Sequence, residues 1–225
     1  LERELGVEPL PSTRALIDNT LGDQPPNIDS ADNTDLDGPL LPLVGREQAF
    51  TDLQATWNQV LAGDVRLTIV RGRAGIGKTR LVKTFLNLVG GRKNAAVLAG
   101  RCYPLTPVAY QPFPRLLHHL VIDDSRRIEA ALAAMRPTTL GHLARLVPDV
   151  RTVRRDVPKV EPDPERLRGA VIDLIGRVCE TTDDGANMPE SAPPVVLFVD
   201  DLHHAHRDTL LLLSDLVERL RGLRL

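Results

Sequence analysis

At 225 residues, with 42% apolar content and a formal charge of −2, the chain is long and apolar enough to bury a core in one or two domains, which excludes a wholly disordered or fibrous protein. Aromatics make up only 3%, so that core is aliphatic, and the two cysteines, Cys102 and Cys179, lie far apart and outside any C-x-x-C pattern, which excludes a disulfide framework and fits a reducing cytoplasm. No apolar run approaches membrane-spanning length, so no membrane partner is expected.

The charge is uneven along the chain. Glu2, Glu4, Glu8, Asp18, Asp23, Asp29, Asp32, Asp35 and Asp37 face only Arg3 and Arg14 before residue 40, leaving the remainder mildly basic, as suits an anionic ligand. Leu1-Glu2-Arg3-Glu4 is neither a signal peptide nor a natural start, so the chain is expected to be a piece of a longer one. Over residues 1–21 a short apolar pattern is broken by Pro9 and Pro11, with Ser12 placed to cap a second helix. Such a helix cannot bury its apolar face alone and is expected to end an upstream helical domain. Residues 22–42 carry no Lys or Arg and few apolar side chains, the composition of a flexible acidic linker. Order is expected to resume at Leu43-Val44-Gly45-Arg46-Glu47, and Phe50, Leu53, Trp57, Val60 and Leu61 line one face of a helix that stops at Gly63.

The stretch from Val65 to Val89 organises the rest. Val65-Arg66-Leu67-Thr68-Ile69-Val70 reads as a short buried strand, and Leu81, Val82, Phe85, Leu88 and Val89 recur at helical spacing up to Gly90-Gly91. Between them Gly72-Arg73-Ala74-Gly75-Ile76-Gly77-Lys78-Thr79 fits G-x-x-x-x-G-K-[ST] in the strand, loop, helix context that the motif requires. Gly72, Gly75 and Gly77 let successive N–H groups turn inward around a phosphate chain. The helix that follows, opening on Lys78, Thr79 and Arg80, adds the positive end of its dipole. Lys78 is expected to reach the β- and γ-phosphates of ATP, and the Thr79 hydroxyl to take a Mg2+ coordination site.

A second strand is expected at Ala95-Ala96-Val97-Leu98-Ala99, closing on Gly100. Helices between Arg115 and Arg155, with Leu116, Leu117, Leu120, Val121, Leu140, Leu143 and Leu146, form a lid-like or packing insertion. The cluster Arg151, Arg154, Arg155 and Lys159 is interrupted by Asp156 and reads as solvated surface rather than a nucleic-acid face. Leu167, Val171, Leu174, Ile175 and Val178 define a further amphipathic helix, and Thr181 to Pro193 a surface loop. Val195-Val196-Leu197-Phe198-Val199-Asp200-Asp201 then forms a buried strand ending in two carboxylates. In a parallel α/β sheet this end is where ligands gather. Asp200 is expected to hold Mg2+ through water, and Asp201 to orient or deprotonate the attacking water. His203, His204 and His206 invite a metal-site reading, but no further ligand is fixed nearby by sequence.

Leu43 to Glu47, the loop at Gly72 to Thr79, the segments Gly100-Arg101-Cys102-Tyr103 and Ala109-Tyr110-Gln111-Pro112-Phe113, and Asp200-Asp201-Leu202-His203 together resemble AAA-type and STAND-type (signal transduction) ATPases with an origin-recognition-like core, over residues 43–225. His204 and His206 stand where relatives have Trp and Asp, which leaves their role open. The resemblance implies a doubly wound α/β P-loop fold, Walker A and Walker B motifs, adenine packing beside Val44, Gly45 and Arg46, and phosphate contacts along Gly72, Arg73, Ala74, Gly75, Ile76, Gly77, Lys78, Thr79 and Arg80. It also implies that the strand after Walker B lies between the two Walker strands, so the sheet is expected to be incomplete. Leu1 to Pro9 with Ser12-Thr13-Arg14-Ala15-Leu16 looks like the end of a bacterial transcriptional activator domain, as in SARP-type regulators, where it follows a winged-helix domain. The implied function is a slow ATPase switch in a transcriptional regulator that touches DNA only through a missing N-terminal domain, and the family allows ATP-dependent self-association. The rivals are a metabolic or transport P-loop enzyme, for which no substrate signature stands, and an interaction domain without hydrolysis, which the presence of Lys78, Thr79, Asp200 and Asp201 opposes.

Overall fold

The computed structural model describes residues 45–91, 95–104, 108–123, 125–180 and 193–225. The expected activator-domain end, the acidic linker, Val44 and nearly all of the loop from Thr181 to Pro193 lie outside the described residues.

Helix α1 (Glu47–Leu61) opens with an acid in its first turn, where the dipole favours negative charge. Its face of Phe50, Leu53 and Trp57 packs on Phe85, Leu86 and Val89 of α2 (Lys78–Gly90). Phe50 and Trp57 meet the Phe85 ring edge-on, with centroids 6.3 and 6.4 Å away, an arrangement that ring quadrupoles favour.

Two parallel strands form the sheet: β1 (Ala96–Arg101) pairs with β2 (Val195–Asp200) in a register running from Ala96 opposite Val195 to Arg101 opposite Asp200. Alternation sends Val97, Val196 and Phe198 toward the α1–α2 cluster, and Leu98, Val195, Leu197 and Val199 toward the main core. Both faces are thereby covered, as parallel sheets require. Strand β1 ends one residue beyond the expected Gly100.

The chain crosses from β1 to β2 through α3 (Pro112–Asp123), α4 (Ser125–Ala133), α5 (Pro137–Leu143), the short α6 (Val150–Val153) and α7 (Pro164–Glu180). These helices bury Phe113, Leu116, Leu132, Leu140, Leu143, Leu174 and Ile175 almost completely, so the insertion anticipated as lid-like or packing is packing. Helix α7 starts where it does because Pro164 suits the first turn and the Asp163 carboxylate accepts the Glu165 and Arg166 N–H groups, both at 3.0 Å. After β2 comes a 3-10 turn (Leu202–His204), then α8 (Arg207–Arg219), whose Leu212 and Leu216 enter the same core.

One expected element differs. Val65 to Val70 forms no strand and joins no ladder among the described residues, and Leu67 and Ile69 are 58% and 52% exposed rather than buried. A strand needs a hydrogen-bonded neighbour, and here the Arg66 N–H reaches only the Leu225 carbonyl, at 2.9 Å. On the other side Val195 N–H donates to the Arg224 carbonyl, also at 2.9 Å. Residues 224 and 225 therefore reach both Val195 and Arg66.

Candidate functional site

The loop from Arg71 to Gly77 owes its path to glycine. Gly75 (φ 74) and Gly77 (φ 92) lie in the left-handed region, and Gly77 is also the N-cap of α2, so the turn delivers the helix N-terminus to the loop's open side. A Cβ on Gly72 would stand 3.2 Å from Ile76 Cγ2, which keeps that position small. Lys78 Nζ donates to the Gly72 carbonyl at 3.1 Å and the Arg73 carbonyl at 3.0 Å, folding the ammonium over the loop. Arg46 donates through Nη2 to the Ile76 carbonyl at 2.9 Å, fastening the segment before α1 to the same loop. Gly45 N–H is held by Glu47 Oε1 at 3.0 Å. Arg46, expected beside the adenine, thus has a contact within the phosphate loop. Ala74 and Ile76 are exposed along the loop, and Arg80 follows on the exposed side of α2.

The second half arrives from β2. Thr79 Oγ1 lies 3.3 and 3.4 Å from the two oxygens of Asp200, 121 residues further along the chain. A hydroxyl and a carboxylate at that separation, beside a helix N-terminus and an ammonium, are the donor set of a hard divalent cation that also touches phosphate, so the residues fit Mg2+ with a nucleotide.

Asp201 adopts a left-handed backbone (φ 50, ψ 41) and its N–H donates to Asp200 Oδ1 at 3.0 Å. Its carboxylate is gripped by Arg101, whose Nε and Nη2 both donate to Oδ2, at 2.9 and 2.6 Å. The Arg101 hydrogen bond and charge hold the Asp201 carboxyl below its usual range, against the opposing effect of burial, and His203 and His204 add to the lowering. Arg101 is there because it ends β1 opposite Asp200. Cys102, wholly buried next to it, donates its N–H to the Asp200 carbonyl at 3.1 Å, and burial, then Asp201 and Asp200, push its thiol up.

The histidines do other things. His203 and His204 lie with ring centroids 3.9 Å apart in the turn after Asp201, and His206 Nδ1 accepts the Asp208 N–H at 3.2 Å as the cap of α8. Among the described residues no group of three His, Cys, Asp or Glu could hold a metal. Sequence reasoning named Arg101 only within the segment Gly100-Arg101-Cys102-Tyr103 and missed its contact with Asp201, 100 residues away.

A glycine loop leading into a helix N-terminus, with a strand-end carboxylate meeting the helix's first hydroxyl, defines the class of P-loop nucleotide-binding folds. The family model described as AAA ATPase domain matches residues 42–225, and the chain belongs to that family. It is also similar to "Uncharacterized protein R02095" of Rhizobium meliloti (strain 1021), 29% identical over 97 residues, which cover 43% of this chain and 9% of that protein. No solved structure matches. No helix among the described residues is long and apolar enough to cross a membrane.

Proposed function

We propose that the site binds Mg-ATP and hydrolyses it slowly, as a switch within a larger bacterial regulator. The observation that carries the reading is the contact of Thr79 with Asp200, because it joins the phosphate loop to the strand-end carboxylate at cation-binding distance. Lys78 trades the Gly72 and Arg73 carbonyls for phosphate oxygens, a charge-assisted exchange, while the backbone N–H groups at the start of α2 receive the phosphate chain. Thr79 and Asp200 hold Mg2+, which when bound neutralises charge developing on the phosphates. Asp201 orients the attacking water, whose oxygen bonds the γ-phosphorus as the bond to the ADP oxygen breaks with its electron pair. The proton that the water sheds passes by way of the Asp201 carboxylate to the products.

The regulatory setting rests on the resemblance of residues 1–21 to the end of a bacterial activator domain, with DNA contacted by a domain N-terminal to it. The fold reading is that a further strand lies between Val65–Val70 and β2. What supports it is the exposed Leu67 and Ile69 and the backbone groups of Arg66 and Val195 turned to the same short segment.

The test is calorimetric titration of the intact protein with ATP and Mg2+. Lys78→Ala is expected to abolish binding, and wild-type affinity in that variant would sink the assignment.

A further inference from the structure

We propose that Tyr110 is a positioning residue for hydrolysis: from the connection that follows β1 it holds Thr209, and through Thr209 the segment that runs from Asp201 into α8. The proposal rests on the reading of Asp201 given above. Among the described residues only Tyr110 (φ 62) and Asp201 (φ 50) are non-glycine residues with a left-handed backbone. Tyr110 lies on the connection after β1 and Asp201 directly after β2, so both follow the carboxyl ends of the paired strands, where ligands gather in a parallel sheet. A side chain disfavours that backbone conformation, which persists only where the surroundings over-determine it.

At Tyr110 those surroundings come from three helices. Its N–H donates to Thr209 Oγ1 at 3.1 Å, across 99 residues, and its carbonyl accepts the Phe113 N–H at 2.8 Å as α3 begins. Its hydroxyl donates to the Pro164 carbonyl at 3.3 Å, where α7 begins. Tyr110 is 5% exposed and Thr209 wholly buried, so the bond between them is out of reach of competing water. The hydroxyl bond is long for its type, which leaves the buried N–H as the main hold. Thr209 sits in the first turn of α8, and the chain back to Asp201 is stitched by its own hydrogen bonds. The Asp201 carbonyl accepts the His204 N–H at 2.9 Å, the Leu202 carbonyl the Ala205 N–H at 3.0 Å, and the His206 carbonyl the Thr209 N–H at 3.0 Å. A shift at Thr209 is therefore passed to Asp201 rather than taken up by slack chain. Helix α7 also grips α8 directly, since Arg168 Nε lies 3.3 Å from Asp215 Oδ2. The packed insertion thus holds both partners of the buried bond, Tyr110 through Pro164 and the helix of Thr209 through Arg168. The consequence is geometric: a carboxylate displaced by an ångström can cost on the order of a hundredfold in rate, while Lys78 and the start of α2 are left in place to bind phosphate.

The experiment measures ATP turnover, ATP affinity and the urea midpoint of the intact protein for wild type, Thr209→Val, Thr209→Ser, Tyr110→Phe, Asp201→Asn and the Thr209→Val/Asp201→Asn double variant. Thr209→Val keeps the side chain's shape and loses the acceptor, whereas Thr209→Ser keeps the acceptor and loses a methyl group. Thr209→Val is expected to lower kcat by roughly 10- to 100-fold with KM and ATP affinity nearly unchanged, and Thr209→Ser to recover most of the turnover although its urea midpoint also falls. A merely structural role would make turnover follow the midpoint in both. Where the valine variant does not fold, Thr209→Ala, whose smaller side chain leaves room beside the Tyr110 N–H, gives the same reading. Tyr110→Phe is expected to lose much less than Thr209→Val, because the N–H that holds Thr209 remains. The double variant should turn over no more slowly than Asp201→Asn alone, since a residue acting through Asp201 has nothing left to act on. Wild-type turnover in Thr209→Val, equal turnover losses in Thr209→Val and Thr209→Ser, a parallel loss of ATP affinity, a loss in Tyr110→Phe as large as in Thr209→Val, or independent losses in the double variant would each overturn the proposal. Asp201→Asn with wild-type turnover would overturn the hydrolytic assignment itself, whereas an inactive Asp201→Asn beside a normal Thr209→Val overturns only the positioning role.

Discussion

Lys78 is already satisfied before any ligand arrives. Its ammonium rests on two carbonyls of the loop it belongs to, so in the proposed site nucleotide replaces protein acceptors with phosphate oxygens rather than filling an unmet demand. The gain comes from the greater strength of the charged acceptor. Cysteine supplies the residue-scale prediction. Burial pushes the Cys179 thiol up from 9.0 to about 12, with Arg127 pulling the other way, and Cys102 is raised by its own burial. A folded-state value above the unfolded one means that stability is full below the ordinary thiol range and declines as the pH climbs from about 9 toward 12, since unfolding then lets the thiol ionise. The urea midpoint of the protein should fall with pH over that window, and Cys179→Ala should flatten the fall. An identical slope in the variant would show that Cys179 takes no part in it.

At the scale of elements, the two helices flanking the phosphate loop depend on one ring. Phe85 is 7% exposed and lies between Phe50 and Trp57, which couples α1 to the helix that carries Lys78 and Thr79. Phe85→Ala is expected to cost about 3–5 kcal/mol, read as a drop in the denaturant midpoint, with Phe85→Leu costing much less. Equal losses in both would mean that the pocket collapses around either residue. This much could be foreseen from spacing, because Phe50, Trp57 and Phe85 fall on the apolar stripes of two periodic segments. Lys78 and Thr79 were equally legible, since the motif fixes them by covalent spacing in a strand, loop, helix context. Arg101 was not: its contact with Asp201 spans 100 residues and exists only through the register of β1 on β2, which no local pattern encodes. Val65 to Val70 was legible as an extended apolar segment, but its solvent exposure was not, because burial depends on what pairs beside it.

For the whole molecule, the exposed apolar segment governs behaviour in solution. Leu67 and Ile69, together with Leu210 and Leu211 at 45% and 39% exposure, leave aliphatic surface beside backbone groups that join no ladder among the described residues. This 225-residue polypeptide is therefore expected to self-associate, and the double substitution Leu67→Lys/Ile69→Lys to shift it toward monomer in light scattering at unchanged helix content. A monomeric parent chain would refute the prediction. The contact between Thr79 and Asp200 has a consequence in time as well as space. The two residues are 121 positions apart, so a ribosome adding about 5–20 residues per second needs roughly 6–24 s between one and the other. Through that interval the nascent chain carries a glycine loop and a lysine that can meet phosphate, with no partner carboxylate to complete a metal site. On the proposed reading of the site, Mg-nucleotide is held in full only after β2 has left the exit tunnel and paired with β1, so the ligand rewards the finished pairing and not its precursors.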